Sequence, residues 1–179
     1  MASTDSVVSG ARELISQAND AGLKIDAVVH RSGSAGTQAG LVAGFAVAGA
    51  KVPVIGIGGG ESPRELEELV FRMAVATATL LGAPSAVKRS VVVARDPNPV
   101  RYGQLTREVF EAISLFARTE GILIDPVYTG PALAGLIDLI RQGTFERDAN
   151  VVFIHTGGTA SLFSYVDGFA SELSRAGPT

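Results

Sequence analysis

Ile25-Asp-Ala-Val-Val-His30 runs into Arg31-Ser-Gly-Ser-Ala-Gly-Thr-Gln38 and then into Ala39-Gly-Leu-Val-Ala-Gly-Phe-Ala-Val-Ala48. The first block reads as an apolar strand and the last as an apolar helix. Between them lies a loop of small and hydroxylated residues. A strand-loop-helix junction of this composition directs backbone N–H groups, two serine hydroxyls and a threonine hydroxyl at one spot. The positive end of the helix dipole lies at that spot too, which is what binds a phosphate. The competing reading is a tight turn whose glycines only let strand and helix pack closely.

The pattern repeats along the chain. Strands are predicted at 25–30, 52–57, 90–94, 122–127 and 151–155, rich in Val and Ile and hardly alternating with polar residues. Such runs suit a parallel sheet covered on both faces. Residues 5–22 place Val8, Ala11, Leu14, Ile15, Ala18 and Ala21 on one helical face before Gly22. Ser62-Pro-Arg-Glu65 reads as an N-cap, a proline at the first helical position and a capping-box glutamate, opening a helix that ends near Gly82. Further helices are predicted from Leu105 to Glu120, from Pro131 to Gly143 and over 159–174. The predicted fold is a single α/β domain over 1–179, an open, mostly parallel, doubly wound sheet. Ligands in such sheets bind beyond the carboxyl ends of the strands, which selects 30–38, 58–61, 95–103, 125–130 and 155–159.

The 179 residues carry 46 % hydrophobic and 18 % charged side chains with a formal charge of −3. Basic residues are scattered, which argues against nucleic acid or an anionic membrane as partner. The lack of cysteine removes disulfides, a thiolate nucleophile and a cysteine zinc site, and two histidines make a histidine metal site a poor reading, so no metal is expected. Neither a secretory signal nor a membrane span is legible, and a cytoplasmic location is the expectation.

Gly56-Ile-Gly-Gly-Gly60 fails the dinucleotide fingerprint because Glu61 stands where the last glycine belongs, so it reads as a flexible connection. Ser32-Gly-Ser-Ala-Gly36 approaches a nucleophile elbow, and the order Ser34, Asp125, His155 matches that of α/β-hydrolases, so a serine hydrolase using Ser34 is one reading. Against it, His155 ends an apolar strand and is followed at once by Thr-Gly-Gly. Asp125-Pro-Val-Tyr-Thr-Gly130 and His155-Thr-Gly-Gly158 carry Tyr128, Thr129 and Thr156 to the same sheet edge as the serine loop. An X-Pro turn and a helix N-cap explain Asp125-Pro126 and Pro131, but not a tyrosine at the rim.

Five segments together resemble one family. They are Ser32-Gly-Ser-Ala-Gly-Thr-Gln-Ala-Gly-Leu41, Tyr102-Gly103, Glu120-Gly-Ile-Leu-Ile-Asp-Pro-Val-Tyr-Thr-Gly130, Ala134-Gly-Leu-Ile-Asp-Leu-Ile-Arg-Gln-Gly143 and Val152-Phe-Ile-His-Thr-Gly-Gly158. In order and spacing they resemble the C-terminal half of the D-cysteine desulfhydrase and 1-aminocyclopropane-1-carboxylate (ACC) deaminase family. Those are pyridoxal 5'-phosphate (PLP) enzymes of fold type II, the tryptophan-synthase-β fold. The resemblance implies PLP as cofactor and this domain as the large PLP-binding one. It implies that Ser32, Gly33, Ser34, Ala35, Gly36 and Thr37 cradle the phosphate. Thr129 or Thr156 would face the pyridine nitrogen, and Tyr102 and Tyr128 would border the reacting carbon as catalytic residues.

Departures from the family carry further expectations. Tyr128-Thr-Gly130 stands where the deaminases have Tyr-Glu-Gly, and a neutral hydroxyl holds a ring nitrogen protonated less well than a carboxylate, favouring β-elimination over cyclopropane opening. Pro131 replaces a lysine, and the segment before Tyr102 is poorer in glycine than the family's. The family's cofactor-bearing lysine belongs to its N-terminal half, which this chain lacks. Lys24, Lys51 and Lys88 are the only lysines, each read as a solvated charge. The expectation is therefore part of a desulfhydrase-type lyase that acts on a cysteine-like amino-acid substrate and needs a lysine-bearing companion segment or subunit. A non-catalytic module binding PLP or another phosphorylated ligand is the alternative. The apolar face left by the absent half predicts an oligomer.

Overall fold

The computed structural model describes residues 4–60, 62–97 and 102–176. The first three residues, Glu61 and residues 98–101 of the predicted 95–103 loop lie outside the described residues. Helix α1 (Thr4–Asp20) leads into strand β1 (Ala27–Arg31), α2 (Gly36–Val47), β2 (Val54–Ile57), α3 (Pro63–Leu80) and β3 (Val92–Arg95). Then follow α4 (Arg107–Glu120), α5 (Thr129–Arg141), β4 (Val151–Phe153), a 3-10 helix (Thr159–Tyr165) and α6 (Val166–Ala176).

The four strands form one parallel sheet in the order β3-β2-β1-β4, with Val28 beside Val54, Ile55 beside Val93 and Val29 beside Phe153. Because successive side chains leave opposite faces, each strand feeds two cores. Val28, Val54 and Val92 pack with Val42 and Phe45 of α2 and Val70 of α3, whereas Val29, Ile55 and Ile57 pack with Val109 and Ile113 of α4 and Leu133 and Leu136 of α5. The expectation of an open, parallel, doubly wound α/β sheet is met. Each buried Val, Leu or Ile contributes about 1.5–3 kcal/mol by leaving water, so apolar strands with two-sided cover are what this sequence stabilises.

Helix α2 is the centre of the first layer. Every residue from Gln38 to Phe45 is buried, the signature of a helix covered on all sides. Gly44 lets α1 cross it closely, since a Cβ there would stand 2.6 Å from the Ala11 Cβ. Val8 and Ala11 of the predicted α1 face are buried, while Ala21 lies beyond the helix and is exposed.

Three local expectations are corrected. Segment 122–127 is not a strand: Pro126 has no N–H for a ladder, Ile122 and Leu123 are exposed, and the Leu123 carbonyl lies 3.4 Å from His155 Nε2 and accepts from the Thr159 hydroxyl at 3.3 Å. Ser62 precedes α3 without a side-chain cap bond, so Pro63 rather than a capping box fixes that start. The helix predicted over 159–174 is split, its first part closing with the three-residue spacing of the Ser161 N–H to Gly158 carbonyl bond. Among the described residues no helix is long and apolar enough to cross a membrane.

Candidate cofactor-phosphate site

The sheet order places the chain's reversal between β1 and β4, and a crevice opens beyond the carboxyl ends of strands at such a point. Here that crevice is a cleft of about 510 Å³ lined by Ser32 to Ala35 and Thr37 after β1, Thr156 and Gly158 after β4, and Tyr102 and Tyr128 from the opposite layer. Eight of the ten residues singled out from sequence thus meet in one cleft. The other two are Gly36, the first residue of α2, and Thr129, which is fully buried and donates its hydroxyl to the Gly157 carbonyl at 2.9 Å. Thr156 is therefore the threonine in the cleft.

The loop is built to present donors. Ala35 has φ 63°, the left-handed region, and is the one non-glycine residue there among the described residues. For an L-residue that conformation costs about 1–2 kcal/mol. It turns the chain so that α2 starts at Gly36, and the Ala39 N–H makes the first bond back, to the Ala35 carbonyl at 2.9 Å. The preceding amides of Gly36, Thr37 and Gln38 have no acceptor within the helix and stand at the positive end of its dipole. Ser32 is buried at the cleft wall, its N–H bonded to the Ile57 carbonyl at 3.0 Å and its hydroxyl left without a partner. Strain, free amides and an unpaired hydroxyl at one point suit a tetrahedral anion; a plain packing turn needs none of them.

Gln38 anchors the loop from behind. Its amide nitrogen donates to the Val54 carbonyl at 2.9 Å and the Val93 carbonyl at 2.7 Å, which fixes its oxygen toward Gly56. A Cβ at Gly56 would lie 2.1 Å from that oxygen and 2.6 Å from the Ser32 Cβ, so the glycine makes room for both. The Gly58 and Gly60 amides donate to the Arg95 carbonyl at 2.8 Å and the Asp96 carboxylate at 3.1 Å, which joins this segment to the end of β3. The sequence reading assigns no role to Arg31 or Gly59, yet both line the cleft, and Arg31 Nη1 donates to the Gly58 carbonyl at 2.5 Å. An arginine at the last position of a strand that opens a phosphate loop is the available signal.

Two tyrosines close the far side. Their hydroxyls are hydrogen-bonded to each other and their rings meet edge to face with centroids 5.7 Å apart. That bond raises the pKa of Tyr102 above the ordinary phenol value. Tyr165 holds the approach to Tyr102 by donating to the Gly103 carbonyl at 2.7 Å. Tyr128 is held by Asp125, whose buried carboxylate accepts from the amides of Val127, Tyr128 and Thr129 at 2.8, 2.6 and 2.9 Å and so starts α5. Gly158 passes close to the same carboxylate, where a Cβ would lie 2.7 Å from Oδ1.

This arrangement removes the serine-hydrolase reading. Asp125 is committed to three backbone amides. His155 accepts from the Gly157 N–H at 3.0 Å through Nδ1, while its Nε2 meets the Leu123 carbonyl and the Thr159 hydroxyl. No acid-histidine-Ser34 relay is assembled. The lysines lie where the sequence reading puts them. Lys24 and Lys51 line a pocket at the amino ends of β1 and β2, and Lys88 is exposed and bonded to the Ser85 carbonyl at 3.4 Å.

Known proteins share this chain's sequence and fold. A family model described as pyridoxal-phosphate dependent enzyme matches residues 4–157. The chain is 40 % identical over 164 residues to the 1-aminocyclopropane-1-carboxylate deaminase of Burkholderia vietnamiensis, covering 90 % of this chain and 48 % of that protein. A solved ACC deaminase homologue superposes with a TM-score of 0.82 at 34 % identity, over 95 % of this chain and 50 % of that one. A fungal L-serine ammonia-lyase from Rhizomucor miehei, at 20 % identity and a TM-score of 0.61, shares the fold. The chain spans about half the length of the relatives it matches. It belongs to the pyridoxal-phosphate dependent enzymes of fold type II and fits the D-cysteine desulfhydrase and ACC deaminase family.

Proposed function

We propose that this chain is the phosphate-binding half of a PLP-dependent lyase that carries out β-elimination on a cysteine-like amino acid, expelling sulfide or another β-leaving group and, after hydrolysis of the imine, releasing ammonia and a 2-oxo acid. It works with a segment that carries the cofactor lysine. The observation that carries the reading is the meeting of the strained Ala35 loop, the Tyr102–Tyr128 pair and Thr156 in one cleft while the three lysines sit elsewhere.

The cleft fits the cofactor. The unpaired Ser32 hydroxyl and the open amides of α2 match a phosphate, and the roughly 510 Å³ of space lies in the range of small-molecule sites. Bound PLP supplies an electron sink for chemistry at the amino acid's α-carbon. Ser32 to Thr37 would hold its phosphate, and Thr156 would offer a neutral hydroxyl to the ring nitrogen. Tyr102 and Tyr128 share one proton-bearing hydrogen bond, so either hydroxyl can hold or pass a proton at the substrate's edge while the other stabilises it. The neutral hydroxyls favour elimination over the cyclopropane opening named for the relatives, because a ring nitrogen without a carboxylate partner draws fewer electrons from the substrate.

The test is a PLP titration of the purified chain, followed by borohydride reduction and intact mass. Saturable PLP binding lost in Thr37→Val with no adduct on Lys24, Lys51 or Lys88 is the expected result. A specific adduct on one of these lysines would overturn the need for a companion. With the companion supplied, D-cysteine should yield ammonia and sulfide; ammonia from 1-aminocyclopropane-1-carboxylate instead would refute the substrate assignment. Binding without turnover of either compound would favour a PLP-binding module.

A further inference from the structure

The sequence reading assigns no role to Tyr165, which ends the 3-10 helix (Thr159–Tyr165) just before α6. That short helix runs between the bases of the two site tyrosines. At its first end the Thr159 hydroxyl donates to the Leu123 carbonyl at 3.3 Å and the Ser161 hydroxyl reaches the Asp125 carboxylate at 3.5 Å, while the Thr129 hydroxyl donates to the Gly157 carbonyl at 2.9 Å. Asp125 and Thr129 flank Tyr128 in the turn that opens α5, so this end is fastened to the base of Tyr128. At the other end the Tyr165 hydroxyl donates to the Gly103 carbonyl at 2.7 Å, one residue beyond Tyr102. Gly103 has φ 72°, and a Cβ there would lie 3.0 Å from the Tyr165 hydroxyl, so the glycine admits the phenol.

The geometry points to Tyr165 as the positioning residue of the Tyr102–Tyr128 pair: its hydroxyl tethers the backbone beside Tyr102 and so holds the two phenols in hydrogen-bond contact at the cleft. The use of that contact in proton transfer rests on the function proposed above, whereas the tether is a property of the chain without ligand. Tyr102 needs a tether because it is 71 % exposed, so burial alone does not fix its ring. A bond between two exposed phenols competes with water and weakens steeply with distance, so it persists only where the backbone brings the rings together. Tyr165 can supply the tether because it is a fixed post. Just beyond it Phe169 packs on Phe110 with ring centroids 5.4 Å apart, and Gly168 brings α6 so close to Leu105 that a Cβ would lie 3.0 Å from its Cδ2.

The chain holds three tyrosines, so isotope labelling at tyrosine Cζ and carbon NMR against pH follow each phenol separately, with assignments from single Tyr→Phe variants and the fold checked by its methyl resonances. The bond to Tyr128 is the main reason the Tyr102 pKa stands above the ordinary phenol value, and Tyr165 and the Asp125 carboxylate also face it. The probe is Tyr165→Phe, which keeps the ring and removes the tether. Because the Tyr165 phenol also acts on Tyr102 directly through its charge, the probe is made with and without Tyr128→Phe. The expected result is that Tyr165→Phe lowers the Tyr102 midpoint toward that of Tyr128→Phe, with native methyl dispersion, and adds almost nothing on the Tyr128→Phe background. An equal shift on both backgrounds makes Tyr165 a plain neighbouring charge and overturns the inference. So does an unchanged Tyr102 midpoint, or a shift seen only where the methyl dispersion collapses. With the lysine-bearing companion supplied, Tyr165→Phe should lower kcat about tenfold at little-changed KM, as a displaced proton-transfer group would. The expected titration with an unchanged kcat supports the tether and refutes the pair's part in the proposed function.

Discussion

His30 is a fully buried histidine in β1, paired in register with Gly56 and with no hydrogen-bond partner for either ring nitrogen. Burial pulls its pKa from the ordinary 6.5 down to about 4; the Arg31 backbone pulls the other way without reaching hydrogen-bond geometry. The folded protein therefore keeps this ring neutral through a range in which the unfolded chain takes up a proton. Between pH 6.5 and 4 the unfolded state binds more protons than the native one, so stability falls as pH falls. Above 6.5 the group has no effect, and below 4 the full penalty of roughly 3 kcal/mol is present. At pH 4.5 the loss relative to pH 7.5 is about 2–3 kcal/mol, a large part of a typical domain's stability. The assay is urea unfolding of the protein and of His30→Leu at both pH values. Carboxylates elsewhere titrate in both proteins, so the difference between the two isolates the histidine. The variant should be near neutral at pH 7.5, since it removes two unpaired nitrogens at similar volume, and should be the more stable of the two by about 2–3 kcal/mol at pH 4.5. Parallel stability curves, or an imidazole resonance of His30 titrating near 6.5, would refute the reasoning.

Other perturbations probe the site's framework. Ala35→Gly relieves the left-handed strain and should stabilise the fold by about 0.5–1 kcal/mol net of glycine's entropy, read as a raised Tm. Asp125→Ala strands three amides at the start of α5 and should cost about 2–4 kcal/mol in urea unfolding, with weaker PLP binding as Tyr128 moves. Gly56→Ala drives a methyl into Gln38 and Ser32 and should cost about 1–3 kcal/mol, and calorimetric titration should show a loss of PLP affinity larger than Asp125→Ala produces. The half-exposed β4 and the exposed Leu123, Phe163 and Leu173 should make the chain self-associate, so light scattering that finds a clean monomer across concentration would count against the half-enzyme reading.

The fold was legible where side-chain period and punctuation agree. Val28-Val29, Val54-Ile55 and Val92-Val93 announce two-sided burial, and Gly82, Gly121 and Gly143 stop their helices or follow the last turn at positive φ as their positions in the chain suggest. Ile122-Leu-Ile124 misleads because its composition is that of a strand. A strand also needs a neighbour, and the neighbour is a tertiary fact that no window of sequence contains. The phosphate loop was legible because its chemistry is local. Arg31 and Gly59 were not, since their part in the cleft depends on β1 and β2 lying side by side, and Asp125 reads from sequence as an acid at the rim when its carboxylate in fact organises a helix start.

The two ends of the sheet divide the chemistry. At the carboxyl ends stand the groups that can receive an anion or relay a proton: the α2 amides, Ser32, Thr156 and the tyrosine pair. At the amino ends of β1 and β2 stand Lys24, paired with Asp26 at 2.5 Å, and Lys51. Repositioning a lysine from one end to the other would mean crossing the length of the strands, well beyond any side-chain reach, so no rotamer change lets these lysines serve the cleft. The function proposed above therefore takes its nucleophilic nitrogen from the companion segment and not from Lys24 or Lys51, which stand at the far end of the sheet from the cleft.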